Sequence, residues 1–481
     1  MKSSPLGREA RYEKLALVAD PIHHYIPFTV PYGERDELTE KDLIDSPWVQ
    51  RLRYINQLQS ARWVYPSAEH SRFVHSLGTL HVAGRFAHQI YPSLKEHNPD
   101  CPSFCFIESL LRLTGLLHDI GHGPFCHFFD DHFLKQYNLT HEKLGQLIIQ
   151  KELSPILKKI RRSPSGAFEA GEHILPEHIA FLIGKDDNLL FAKTAHTTPP
   201  HSAVCVPTPL KRKGISSEFP HWLVMLKPLF AGVFTVDNLD YVLRDAYMCG
   251  IAEGPIDLDR LIYYTFYTKS GLTLHKAGLP ALRMFLNARS YLYSNVYFHR
   301  TTRALDIHLR DIFPDTMKAL FPYHPIKKLD RYLELTDWSL LTTVRSWQHA
   351  KSTKKRALFQ EWQKIFLREI KWKMAFDITF STMKEFDLEK AIRSHLPKDL
   401  KQLPFRVDMA IFDPRPLHPL TMGDRQMYVY NPSVQSVSKE ALMEFIDSLP
   451  SILTQCRIFT VNHNHDLPLS RAAEKALKSI L

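Results

Sequence analysis

Residues 116–127 read LLHDIGHGPFCH, placing His118, Asp119, His122 and His127 within twelve positions. Just upstream, IESLLRLTG (107–115) has the apolar spacing of a buried amphipathic helix. Buried polar groups without partners are costly, so something must satisfy this concentration of imidazole and carboxylate. His122 follows one turn after His118, and the spacing predicts the same helix face for both. Gly121, Gly123 and Pro124 then end the helix, so His127 enters from a different direction. Histidine nitrogen beside aspartate oxygen suits a divalent transition metal such as Fe, Mn, Zn or Co. Two ligands do not hold an ion, so other segments must contribute.

Two segments qualify. EHSRFVHSLGTLHVAG (69–84) is an apolar helix interrupted by Arg72 and His75, one turn apart. Arg72 there has two readings, a phosphate contact or a structural ion pair with Glu69 or Asp119. VDNLDYVLRDAYMCGI (236–251) sets Asp237, Tyr241 and Asp245 at i, i+4 and i+8, with Arg244 beside them. A polar stripe on a Val/Leu/Ala helix is expected to line a wet, charged cavity.

The chain has 481 residues, enough for a large core, and its net charge of +10 suits anionic partners such as a nucleoside triphosphate or nucleic acid. The densest basic runs, LKKIRR (157–162), LKRKG (210–214) and KSTKKR (351–356), read individually as solvated faces. No consecutive run of about 18 apolar residues and no secretory signal pattern is seen, so no membrane partner and a cytoplasmic location are expected. The six cysteines are too scattered for a disulfide framework.

The pattern predicts a mainly α fold: a helical core over 1–325, then a smaller α/β region over 326–481 serving oligomerisation or regulation. LALVADPIHHYIPF (15–28) reads as extended and DSPWVQRLRYINQL (45–58) as a helix started by Ser46-Pro47. Residues 194–220, rich in proline, read as an exposed loop, and YTKSGLTLHKAG (267–278) as a hairpin. Long charged helices are predicted over 355–398, followed by strands at FRVDMAIF, QMYVYN and RIFTVN. The glycine-rich loops that cradle phosphates in other nucleotide-binding folds are absent.

The phrases RFVHSLG (72–78), LLHDIGHGPFCHFFD (116–130), THEKLG (140–145) and VDNLDYVLRDAY (236–247) resemble the metal-dependent HD-domain phosphohydrolases. Within them, they look like the dNTP triphosphohydrolase branch, in particular its animal members that add a SAM domain, here without that domain. The resemblance runs in collinear blocks from about 17 to 310. It implies that His75, His118, Asp119 and Asp237 hold one transition metal. His127, oriented by Asp130, would protonate the leaving 5′-oxygen. His122 and His141 would contact phosphates or a substrate-borne Mg²⁺. Arg72 and Arg289 would grip the triphosphate, and Tyr241 and Asp245 would bond the sugar 3′-hydroxyl. Gln57, Leu58 and Tyr297 would close on the deoxyribose. The products would be deoxynucleoside and inorganic triphosphate.

Departures from the family pattern are informative. Asn238 stands where a lysine usually follows the last metal aspartate, so Arg244 or Arg300 is expected to replace that phosphate contact. Asp45, Gln50 and Arg53 match a regulatory nucleotide pocket, but Ala16 stands where the family places a phosphate-gripping lysine. The resemblance implies an activating nucleotide, whose identity is not carried over, and assembly into a dimer or tetramer. The competing readings are an HD phosphohydrolase acting on another nucleotide or a nucleic-acid end, and a nucleotide- or nucleic-acid-binding regulator.

Overall fold

The computed structural model describes residues 12–32, 37–184, 219–252, 256–380, 387–413, 426–448 and 453–480. The expected loop at 194–220 lies outside them except at its last two positions, as does the basic run at 210–214. The fold is mainly helical. Its centre is a pair of long helices, Arg72–His97 and Phe104–Leu117, the second started by Ser103, whose hydroxyl accepts from the Phe106 amide. They cross closely at Gly115, where a β-carbon would sit 2.7 Å from the Thr79 carbonyl oxygen. The N-terminal segment forms the expected extended pair, Leu15–Asp20 antiparallel to His24–Thr29. The helix at Ser46-Pro47 starts as expected but runs only over Pro47–Arg51, because Ile55 turns extended and its carbonyl accepts from the Arg72 amide.

A four-stranded sheet contains the expected hairpin, Thr265–Thr268 with Gly271–His275. Its next strand, Met427–Asn431, pairs parallel to Gly271–His275 and comes from far beyond residue 325. Packing therefore runs across the expected boundary at 325/326, and Tyr332, Leu340, Trp362 and Val429 share one apolar core with the long helices. A separate three-stranded antiparallel sheet has Leu453–Thr460 between Lys373–Phe380 and Phe405–Phe412. Lys373–Phe380 corrects the prediction of helix throughout 355–398; the helical part is Thr353–Phe366 and, later, Leu388–His395. This sheet docks through Phe459 onto Ala304 and Ile307 of helix Arg300–Leu320, with Trp372 beside them. Arg303 on that helix donates two bonds, of 2.9 and 2.6 Å, to the buried Asp408 carboxylate.

Among the described residues, one helical stretch, His221–Met248, is long and apolar enough to cross a membrane, but 78% of that window is buried in the protein. It passes by average composition despite its acidic residues, which a count of consecutive apolar residues does not register.

The segment that follows the Phe104–Leu117 helix is clamped from several directions. Tyr332 donates to the Gly121 carbonyl (2.7 Å), and the buried Arg51 donates to the carbonyls of His122 and Leu335 (2.7 Å each). Asp337 accepts from the amides of Phe125 (2.7 Å) and Asn56 (2.8 Å). Gly121 lies where a β-carbon would meet the His141 carbonyl oxygen at 2.0 Å and the Gly145 amide nitrogen at 2.5 Å. Backbone atoms cannot yield as a side chain can. Gly121→Ala should therefore cost about 3 kcal/mol or more in urea unfolding, whereas Gly145→Ala, with its nearest contact at 3.4 Å, should be near neutral.

Candidate active site

His75 stands in the first turns of helix Arg72–His97, His118 at the cap of helix Phe104–Leu117, and Asp237 in the first turn of helix Val236–Met248. The packing of these helices brings the three together as a group able to hold a metal ion. His75 Nδ1 donates to Asp240 Oδ2 (2.8 Å) and His118 Nδ1 to the Gly115 carbonyl (2.7 Å). Those partners fix the tautomers, leaving the two Nε2 lone pairs facing one another at 3.2 Å. Asp237 Oδ1 lies 3.2 Å from one and 3.5 Å from the other. Atoms each about 2.0–2.2 Å from one shared ion are roughly 3.0–3.5 Å apart, so the three donors fit a divalent transition metal. Burial opposes charge on His118, yet Asp119 and Asp237 push it up to about 10, so this point favours a cation.

Asp119, the fourth expected ligand, sits beside the group. Its Oδ1 is 3.3 Å from His118 Nε2, and its Oδ2 is held by a close ion pair with Arg72. Against burial, Arg72 and His118 keep that carboxyl well below the usual carboxylate range. Arg72 also donates from Nε to the Cys126 sulfur at 2.8 Å. The ion pair with Asp119 is made, and Arg72 also lines the adjoining cavity.

His122 does not share a helix face with His118, because the helix ends at Leu117. It joins His127, Asp130 and His141 in a second group. The rings of His122 and His141 stack at 3.7 Å, and neither nitrogen of the buried His122 has a hydrogen-bond partner among the described residues. Burial, then Arg72 and His141, hold His122 neutral by driving its pKa well down. Phe125 and Cys126 take positive φ, 60° and 50°, to turn the chain into helix His127–His132, which re-aims His127. Asp130 bonds closely to His141 Nδ1, while His127 Nδ1 is 3.7 Å away, beyond hydrogen-bond range. Asp130 is thus bonded to His141, and the expected hydrogen bond orienting His127 is not made.

Next to these groups opens a cavity of about 520 Å³. Gln57, Leu58, Arg72, His127, Tyr241, Asp245 and Tyr297 all line it. Tyr241 and Asp245 come from the Asp237 helix, two successive turns on. Tyr297 ends a π-helical turn, Tyr293–Tyr297, that follows helix Leu279–Leu292 and directs its hydroxyl onto Asp245 Oδ2 at 2.6 Å. Gln57 Oε1 is buried with no partner among the described residues. Arg289 stands behind this lining, its Nε donating to the Tyr241 oxygen at 3.2 Å.

Arg244, expected to reach phosphate, is instead enclosed: it bonds Asp240 twice (2.9 Å each) and Asp20 at 2.7 Å. Arg300 is exposed at the start of its helix. Asn238 has its own task, completing a capping box with Thr235. The expected regulatory residues have local partners: Asp45 with Lys41 (2.5 Å), Gln50 with the Ile44 carbonyl (2.8 Å), and Arg53 with Gln50 (2.7 Å) and the Phe73 ring.

Several residues of the site are missing from the sequence reading. Asp240 supports His75 from behind; His70 Nε2 lies 2.9 Å from Asp245 Oδ1. Asp306, Asp408 and Ile411 complete the far wall of the cavity, the last two from the C-terminal sheet. Asp240 alone carried a sequence signal, lying one helical turn from Asp237.

A model of the HD domain matches residues 72–204, and one of the HD associated region matches residues 256–399. The chain thus carries an HD domain followed by an HD associated region. It is 26% identical over 345 residues to uncharacterized protein YwfO of Bacillus subtilis, covering 68% of this chain and 65% of that one. It is 28% identical over 314 residues to deoxynucleoside triphosphate triphosphohydrolase SAMHD1 of Bos taurus, covering 63% and 47% respectively. The match thus spans between about half and two thirds of the length of these relatives. A crystal structure of a hypothetical protein from Aquifex aeolicus superposes with a TM-score of 0.65 at 25% identity, covering 96% of this chain and 100% of that one.

Two outcomes follow from the geometry. Asp240→Asn weakens the acceptor behind His75, so divalent-metal affinity should fall roughly 10- to 100-fold in a chelator competition. Burial pushes Asp306 up to about 6 from 3.8, so the folded chain holds that proton more tightly than the unfolded chain. The resulting stability is present below pH 4 and lost as pH rises through 6. Asp306→Asn should raise the unfolding free energy above pH 6, by at most about 3 kcal/mol, and change little below pH 4.

Proposed function

We propose that the protein is a metal-dependent dNTP triphosphohydrolase, converting a deoxynucleoside triphosphate and water to deoxynucleoside and inorganic triphosphate. The observation that carries this reading is a cavity lined by Arg72, His127, Tyr241, Asp245 and Tyr297, which Arg72, paired with Asp119, links to the His75–His118–Asp237 group. Similarity to the bovine deoxynucleoside triphosphate triphosphohydrolase supports it.

His75, His118 and Asp237, with Asp119 beside them, would hold the metal, which supplies Lewis acidity toward water and phosphate oxygen. Arg72 offsets charge on the phosphates at the mouth of the cavity. His127, whose side chain is 59% exposed on the cavity side, gives its proton to the departing 5′-oxygen. An alkoxide leaves poorly without that proton. Asp245, set by Tyr297 and His70, accepts a hydrogen bond from the sugar 3′-hydroxyl, with Tyr241 held for the same contact by Arg289. Leu58 and Tyr297 crowd the 2′ position, and the unpartnered Gln57 Oε1 offers an acceptor to the sugar. The C-terminal sheet adds Asp408 and Ile411 where the base would extend.

Product analysis tests this. The protein is incubated with each dNTP and ribonucleotide, singly and mixed, with Mg²⁺ and Mn²⁺, and nucleoside, monophosphate, pyrophosphate and triphosphate are resolved. Deoxynucleoside with intact triphosphate, and ribonucleotides spared, is the expected result. Monophosphate with pyrophosphate, or turnover only of other phosphoesters, would replace it with a different HD phosphohydrolase activity. Asp237→Ala should abolish both hydrolysis and bound metal; full activity in that variant would refute the site.

A further inference from the structure

A second cavity, about 850 Å³, lies apart from the one beside the metal group and shares no lining residue with it. Asp45, Gln50 and Arg53 do not line it either. Four elements wall it: the N-terminal hairpin, the helices Arg72–His97 and Phe104–Leu117, and the short hairpin at Arg162–Ser163 and Gly166–Ala167.

Its lining holds five permanent cations, Lys14, Arg85, Arg112, Arg161 and Arg162, against two carboxylates, Glu37 and Glu108. Both carboxylates are already engaged. Glu37 pairs with Arg162 at 3.0 Å, and Glu108 with His88 at 3.1 Å and the Ser165 amide at 3.2 Å. Arg112 is anchored behind the wall by the buried Glu40, at 2.6 and 3.0 Å, and Arg85 by Asp259. What is left over is positive. Lys14 has no carboxylate partner among the described residues; its ammonium lies over the Tyr32 ring, 4.9 Å from the centroid. Arg161 has none either, and spends one nitrogen on the carbonyls of Lys158 (2.6 Å) and Ile160 (2.8 Å). The field reaches His81 in the same wall, which burial, then His23, Arg112 and Arg85, push down to about 3. That imidazole is neutral and can still exchange hydrogen bonds.

Both lining carboxylates are already paired, which disfavours a metal cation, and the cavity is far larger than one small ion requires. Guanidinium and ammonium groups at a concave polar wall match the oxygens of phosphate. We infer that this cavity binds a phosphorylated small molecule, with Lys14 and Arg161 on its phosphate oxygens. A nucleotide would lay its base against the half-exposed Tyr32; a free oligophosphate would use the cations alone. The inference is independent of which phosphoester the metal site cleaves.

Calorimetric titration of the full chain in EDTA, with ATP and separately with inorganic tripolyphosphate, tests it. The double variant Lys14→Glu/Arg161→Glu should bind the effective probe at least roughly tenfold more weakly, with unfolding midpoint and hydrolytic rate retained. Loss confined to ATP identifies a nucleotide site, and equal loss for both probes an oligophosphate site. Lys14→Glu alone, at an exposed position, gives the same reading if the double variant does not fold. Equal affinity in wild type and variants, or no binding of either probe at millimolar concentration, would overturn the inference.

Discussion

Two imidazole nitrogens held face to face are the constraint around which the rest is arranged. His75 and His118 each commit Nδ1 to a fixed acceptor, so both Nε2 lone pairs point into one small space 3.2 Å wide. Two lone pairs at that distance repel unless a positive charge lies between them. Asp237 and Asp119 supply the compensating negative charge, and Arg72 tempers Asp119 from the far side. A proton or a metal can fill this role, but only a metal uses the third donor as well.

The support for that arrangement comes from both ends of the chain. Asp240, behind His75, is itself held by Arg244 and by His23 at 2.7 Å. Arg244 in turn reaches Asp20 at the end of the first strand, which ties the N-terminal hairpin to the metal group. On the other side Tyr332 and Asp337 clamp the turn through Gly121 and Phe125 that delivers His122 and His127. Such fully paired burial of charge is costly to break, since removing one partner strands the other in a low-dielectric interior. The region after 325 is therefore a buttress of the site and, through Asp408 and Ile411, a wall of its cavity.

How much of this was legible depended on distance along the chain. His118-Asp119, His75 with Arg72, and the Asp237–Tyr241–Asp245 stripe are local patterns, and periodicity alone placed the last on one helix face. His122 stands with His141 as expected, but not on the helix face of His118: two glycines and a proline mark a helix end only approximately, and the helix stops five residues before it. Asp337 and Tyr332 act on backbone atoms more than two hundred positions away, and no local pattern announces such a contact. Strand Lys373–Phe380 pairs with Leu453–Thr460, and its charged neighbours carried the helical reading over it. Arg244 looked like a free cation on the helix; its neutralisation by Asp20 depends on a hairpin that folds back from the start of the chain.

The most direct test of the central claim is anomalous diffraction from crystals grown with Mn²⁺ and measured on both sides of the metal absorption edge. One strong peak between His75, His118 and Asp237, with ligand distances of about 2.0–2.3 Å, is the predicted result. A peak confined to the His122–His127–Asp130–His141 group, or none at full Mn²⁺ loading, would contradict it.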